Sequence, residues 1–256
     1  MVKGINQFKA HFKEFNDRYV LIGGAACFLS MDEAGLDFRV TKDLDIVLCV
    51  EALDTDFAKA FWDFIKRGKY KNTQKSTGKK LFYRFYEPDD DSFPYMLELF
   101  SRIPDALNLS DEAQLTPIPL DKAISSLSAI LLDDGYYGFI HNFKIDIEEI
   151  PTIPPEIIIP LKARAWLDLT ERRQTGEHVD KFDIKKHKND IFRLFQVIDP
   201  GIRIALPEVV KKDMQRYIEA LSADPPQNLK QLGLGGITSD EITELLRTIY
   251  DLRTGQ

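Results

Sequence analysis

The chain has 256 residues, 44% hydrophobic and 29% charged, with a formal net charge of −7. That length and balance suit a globular protein with a sizeable core, in one large domain or two ordinary ones. No apolar run approaches the ~20 residues that cross a bilayer, and the acidic total excludes non-specific coating of nucleic acid by the whole protein. The opening MVKGINQFKAHFKEF mixes charge with aromatics where a signal peptide needs a continuous apolar region. Its Ile5, Phe8, Phe12 and Phe15 recur at steps of three and four, which predicts an amphipathic helix packed on the body. A helix lying on a membrane surface is the other reading.

Tyr19 to Ile22 reads as a short strand running into Gly23-Gly24, and residues 25–31 as a buried helix. Asp43 to Val50 is a second strand, followed by a helix over 54–66 with Asp54 as N-cap and Phe57, Phe61, Phe64 and Ile65 inside. Residues 66–80 carry lysines and one arginine with no acid, either a solvated loop or a local phosphate-tracking patch. Residues 80–86 and 95–100 form a hairpin across EPDDDSFP, a loop that lacks the glycine and terminal glutamate of a calcium site. Cys27 and Cys49 have no metal-ligand spacing, so they read as thiols in a reducing compartment, the cytoplasm, with a disulfide as the alternative.

A helix is predicted from Asp121 to Leu132, then a connector at PTIPPEIIIP, residues 151–160, where proline opposes helix. Helices follow at 161–173, 183–198, 207–222 and 239–252, the last opened by a capping box of Thr238 and Glu241. The layout is α/β (α+β): a mixed-sheet domain over residues 1–115 and a mainly helical domain over 116–256.

The segment RVTKDLDIVL places Asp43 and Asp45 on one face of a strand, about 7 Å apart by the strand rise. Two like charges so placed either sit solvated at the strand's end or share a cation. Magnesium suits the second case, since it takes carboxylate and water oxygens together with substrate phosphates. Gly23-Gly24 at a strand-to-helix junction either serves a tight turn or lets a phosphate approach backbone N–H groups. Thr41 adds a hydroxyl on the same strand face as the aspartates. Further on, Asp183, His187 and Asp190 fall on one face of a predicted helix. His187 there either orients Asp190, contacts a nucleotide, or is a surface histidine. Paired acids on one strand face exclude glycoside hydrolysis, whose two acids flank the sugar. Serine and cysteine nucleophile motifs are absent.

YVLIGGAA followed by RVTKDLDIVL resembles the signature of the nucleotidyltransferase superfamily, and Arg39 and Thr41 narrow the likeness to its AbiEii-like toxin branch. IPLKARAWLDLTERR and VDKFDIKKHKNDIFRLF resemble the helical half of that branch, so the likeness spans roughly residues 18–198. The resemblance implies that Asp43 and Asp45 bind Mg2+ or Mn2+, that Gly23 and Gly24 face phosphate, and that Arg39 and Thr41 shape the nucleotide site. It implies Glu98 as a third metal ligand, departing from the commoner aspartate, Lys162 as a triphosphate contact, and Asp190 as a catalytic residue that positions nucleotide or acceptor. It also implies an NTP substrate, an RNA acceptor such as the tRNA 3′ end, and a cognate antitoxin. Two other readings stay open: a nucleotide-binding regulatory module with the same fold, and nucleotidyl transfer to a small molecule or protein.

Overall fold

The computed structural model describes residues 2–72, 83–103, 115–118, 127–226 and 228–252. The chain divides into two compact units, Met1–Leu29 with Asp37–Ile153, and Ser30–Leu36 with Pro154–Gln256. The first is built on a mixed sheet and the second on helices, the α/β class expected.

In the first unit, β1 (Tyr19–Ile22) pairs antiparallel with β2 (Asp43–Leu48), and β2 pairs parallel with β4 (Met96–Ser101). Two strands share the far edge of β4. Its Met96–Glu98 half takes β3 (Arg84–Tyr86) in the predicted antiparallel sense, and its Phe100–Ser101 end takes β6 (Leu127–Leu131) in parallel. β5 (Leu115–Ile118) closes the sheet against β6. The apolar faces of β1, β2 and β4 meet α1 (Ile5–Phe12) and α3 (Thr55–Arg67) in one core of Phe8, Phe12, Leu21, Leu44, Phe61, Phe64 and Leu97. Each such side chain contributes roughly 1.5–3 kcal/mol on leaving water. Phe8 and Phe12 are almost wholly enclosed, so the N-terminal helix spends its aromatic face on this core. Asp54 caps α3 as its residue type predicts, its side chain accepting from the Phe57 amide at 2.8 Å.

The sheet unit continues past residue 115, through β6, α4 (Asp134–Asn142) and the hairpin of β7 (Ile145–Ile147) and β8 (Ile150–Thr152). The Thr152 hydroxyl ties that hairpin to β1, donating to the Leu21 carbonyl at 3.0 Å. Two expectations are corrected here. The helix expected over 121–132 is a strand where it is described, at Leu127–Leu131. A short apolar run suits a parallel strand as well as a helix, and here pairing with β4 decides.

The second correction concerns the prolines. Pro151 lies in β8, and α5 (Pro155–Gln174) starts on Pro155 and runs through Pro160. Pro155 stands in the first turn, where its missing N–H costs nothing. Pro160 removes the donor that would normally meet the Glu156 carbonyl. The Tyr250 hydroxyl donates to that carbonyl instead, at 2.8 Å. α6 (Lys181–Leu194), α7 (Glu208–Ala223) and α8 (Ser239–Ile249) complete the helical unit, and Thr238 with Glu241 forms the predicted capping box. Its core holds Ile158, Ile191, Phe192, Met214, Tyr217 and Leu246. Among the described residues no helix is long and apolar enough to cross a membrane. Most of the 66–80 basic run lies outside the described residues.

Candidate active site

Alternation along β2 sorts its side chains as the sequence predicts. Leu44 and Ile46 are buried on the core face, while Asp43 and Asp45 are half-buried on the other. Asp45 sits opposite Ile22 of β1 and Glu98 of β4, and Glu98 sits opposite Arg84 of β3. Residues in register on neighbouring strands share a face. The sheet therefore carries a transverse row of Ile22, Asp45, Glu98 and Arg84, with Asp43 one step along.

The glycine pair belongs to this face. Gly23 follows directly on β1 with φ +66°, a left-handed backbone that side chains disfavour. A Cβ there would lie 1.8 Å from Asp45 Oδ2. At Gly24 a Cβ would lie 2.5 Å from Thr41 Oγ1 and 3.6 Å from the Arg39 guanidinium. The missing side chains thus make room for Asp45, Thr41 and Arg39, bringing the predicted glycines and polar residues into one cluster. Asp45 is drawn to the start of α2 (Gly23–Glu33), whose N-terminus favours negative charge. Thr41 is held from behind, since its carbonyl accepts the Lys3 amide at 3.0 Å. The Arg39 guanidinium lies 5.3 Å from the centre of the Phe38 ring.

Glu98 is neither solvated nor idle. Its side chain is 12% exposed, and its Oε1 takes both Nε of Arg84, at 2.5 Å, and Nη2. Among the described residues no three His, Cys, Asp or Glu side chains gather in a way that could hold a metal. The three carboxylates expected to share an ion therefore do not form a protein cage. Two aspartates on one face fit a magnesium ion that completes its shell with water and phosphate oxygens.

In the helical unit, Lys162 of α5 and Asp190 of α6 meet. Lys162 Nζ donates to Asp190 Oδ2 at 3.1 Å, with side-chain exposures of 5% and 0%. Arg193 Nη1 stands 3.6 Å from the other oxygen. The two residues singled out in sequence are thus direct partners in a buried pair. Asp183 pairs with Lys186 at 3.1 Å, and His187 is half-buried on the same helix.

Arg84 escaped sequence reading, since only strand register reveals it. So did a polar cluster where parallel β2 and β4 end. Glu51 accepts from the Tyr137 hydroxyl at 2.6 Å and from Arg102 Nε at 2.8 Å. Burial alone would raise the Glu51 carboxyl, but these bonds outweigh it and hold the group below its usual range. Burial pushes the Tyr137 hydroxyl up. The His141 ring packs 4.3 Å from that of Tyr137, and burial lowers its pKa despite the nearby Glu51 charge. Cys27 and Cys49 are not joined in a disulfide.

No protein-family model matches the chain, and no curated protein matches it either. Among solved structures, the Megavirus polyadenylate synthase aligns at 12% identity and TM-score 0.38, over 86% of this chain and 36% of its own. The chain thus spans little more than a third of that protein. JHP933 from Helicobacter pylori aligns at 15% identity and TM-score 0.35, over 97% of this chain and 92% of its own. A further H. pylori structure, of a candidate nucleotidyltransferase, aligns at 16% identity and TM-score 0.35 over the same shares. At such scores the likeness assigns no function.

Proposed function

We propose that the protein is a divalent-metal-dependent nucleotidyltransferase of the AbiEii-like toxin type, moving a nucleoside monophosphate from an NTP to an acceptor hydroxyl. The observation that carries this reading is the packing of Asp45 against Gly23, with Asp43 on the same strand face and Thr41 against Gly24. Asp43 and Asp45 would hold Mg2+ or Mn2+, which when bound neutralises phosphate charge and polarises the α-phosphorus for attack. Gly23, Gly24, Thr41 and Arg39 bind and orient the triphosphate. The acceptor oxygen bonds to the α-phosphorus as the bond to pyrophosphate breaks, and the hydroxyl proton leaves to solvent. Glu98, held by Arg84, fixes the flank of the site and joins the metal only if that pair opens. The sheet-bearing half is the catalytic domain. The likeness to the AbiEii-like branch assigns Lys162 to triphosphate, and Asp190 and His187 to nucleotide or acceptor, and Lys162 is available for phosphate only if its buried pair with Asp190 opens. An RNA 3′ end, tRNA in particular, is the acceptor, and a cognate antitoxin the partner, in a reducing cytoplasm.

A second reading is favoured by the Lys162–Asp190 pair. A lysine already neutralised by a buried aspartate is poorly placed to meet a triphosphate, which suits a nucleotide-binding regulatory module. One assay separates the two. The protein is incubated with each α-labelled NTP, Mg2+ and total tRNA, beside an Asp43→Ala/Asp45→Ala control. Label on tRNA that vanishes in the control supports transfer. NTP bound without any transfer supports the regulatory module.

A further inference from the structure

A pocket of about 320 Å3 opens in the helical unit, lined by none of the residues assigned above. Trp166 and Arg173 of α5, Lys181, Lys185 and Lys188 of α6, and Asp224 after α7 line it. Four cations face one carboxylate, in a chain whose net charge is −7. That carboxylate is spent, because Lys188 Nζ binds Asp224 Oδ2 at 2.6 Å and the Asp224 carbonyl at 3.0 Å. Among the described residues Arg173, Lys181 and Lys185 have no ion-pair partner. Folding does not require such a concentration of like charge, and its self-repulsion is relieved by an anion.

The arrangement selects the anion. Of the cations without an ion-pair partner, Lys181 and Lys185 stand one helical turn apart and Arg173 lines the same pocket from α5, so the free charge spreads over about 6 Å of α6 and onto a second helix. A single phosphate cannot meet all of it, whereas successive phosphates can. A metal-bound triphosphate is less suited, since the pocket's one carboxylate is already committed to Lys188. Beside Lys185 on the helix surface stands Phe182, 69% exposed and unused by any core. Cations along a groove with an exposed ring beside them are the elements of a surface that tracks a phosphate backbone and stacks an unpaired base.

We infer that this pocket binds a single-stranded nucleic acid, its phosphates on Arg173, Lys181 and Lys185 and a base on Phe182. Its use as an acceptor clamp rests on the transferase reading, but the binding does not. The test is therefore fluorescence anisotropy of the full chain with a labelled single-stranded RNA, without NTP or divalent metal, over a salt series. Lys181→Ala/Lys185→Ala weakens binding and shallows the slope of log affinity against log salt by about 1.4, from about 0.7 per lost phosphate contact. Phe182→Ala weakens binding about fivefold or more, and a duplex of the same sequence binds more weakly than the single strand. Circular dichroism confirms that each variant folds, since all three side chains are exposed. Absence of binding at low salt, affinity and slope unchanged in the lysine variant, or equal affinity for duplex and single strand would each overturn the inference. Failure of nucleotidyl transfer leaves this measurement untouched.

Discussion

Gly23 and Asp45 share one space: the carboxylate of Asp45 fills the position a Gly23 side chain would take, 1.8 Å from an added Cβ. Strand, glycine turn and acidic strand are thereby one unit, and the turn's backbone, at φ +66°, demands the same residue independently. Gly23→Ala should destabilise the fold by more than about 1 kcal/mol, since alanine at positive φ is strained even without the clash. It should also move Asp45 and abolish transfer. Gly24→Ala should be milder in stability, because the Thr41 side chain alone must give way. Urea denaturation of both variants measures the order.

The buried Lys162–Asp190 pair predicts asymmetric costs. Asp190→Leu should destabilise by about 3–5 kcal/mol, because it leaves the lysine charged and enclosed. Lys162→Met/Asp190→Leu should recover most of that loss, since removing both charges leaves neither to be desolvated. A double-mutant cycle by chemical denaturation gives the coupling.

Tyr250 and Pro160 should couple as well. Tyr250→Phe removes the donor to the Glu156 carbonyl, at a cost of about 1–3 kcal/mol. In a Pro160→Ala background the helix supplies its own N–H, so the same change should cost less. Equal costs in both backgrounds would detach the tyrosine from the proline.

His141 predicts an acid-sensitive fold. Burial lowers its pKa, so the folded state resists the proton that the unfolded chain takes up. Its stability contribution is fully present above the unfolded value of about 6.5 and is lost as pH falls toward the folded value. Glu51, also lowered, adds a loss of the same sign in the carboxylate range. Melting temperature should fall between about pH 7 and pH 5, and His141→Gln should flatten that part of the curve.

Local signals carried much of the reading. Alternation in RVTKDLDIVL placed both aspartates on one face, Asp54 and Thr238 marked their helix starts, and the phenylalanine spacing found the α1–α3 core. What escaped depended on contacts distant in the chain. Leu127–Leu131 is a strand because β4 offers it an edge, and Pro160 stays helical because Tyr250 reaches Glu156. Neither Arg84 as the partner of Glu98 nor Lys162 as the partner of Asp190 is written in local spacing.

The central claim is that the Asp43 and Asp45 face binds a metal–nucleotide complex, and thermal unfolding with each NTP, with and without Mg2+, tests it most directly. A ligand at about a hundred times its dissociation constant adds about 2.7 kcal/mol to a native state that alone binds it. The account predicts a rise in melting temperature that needs both NTP and Mg2+ and disappears in Asp43→Asn/Asp45→Asn. No rise with any NTP at millimolar concentration, or an equal rise in the variant, would contradict it.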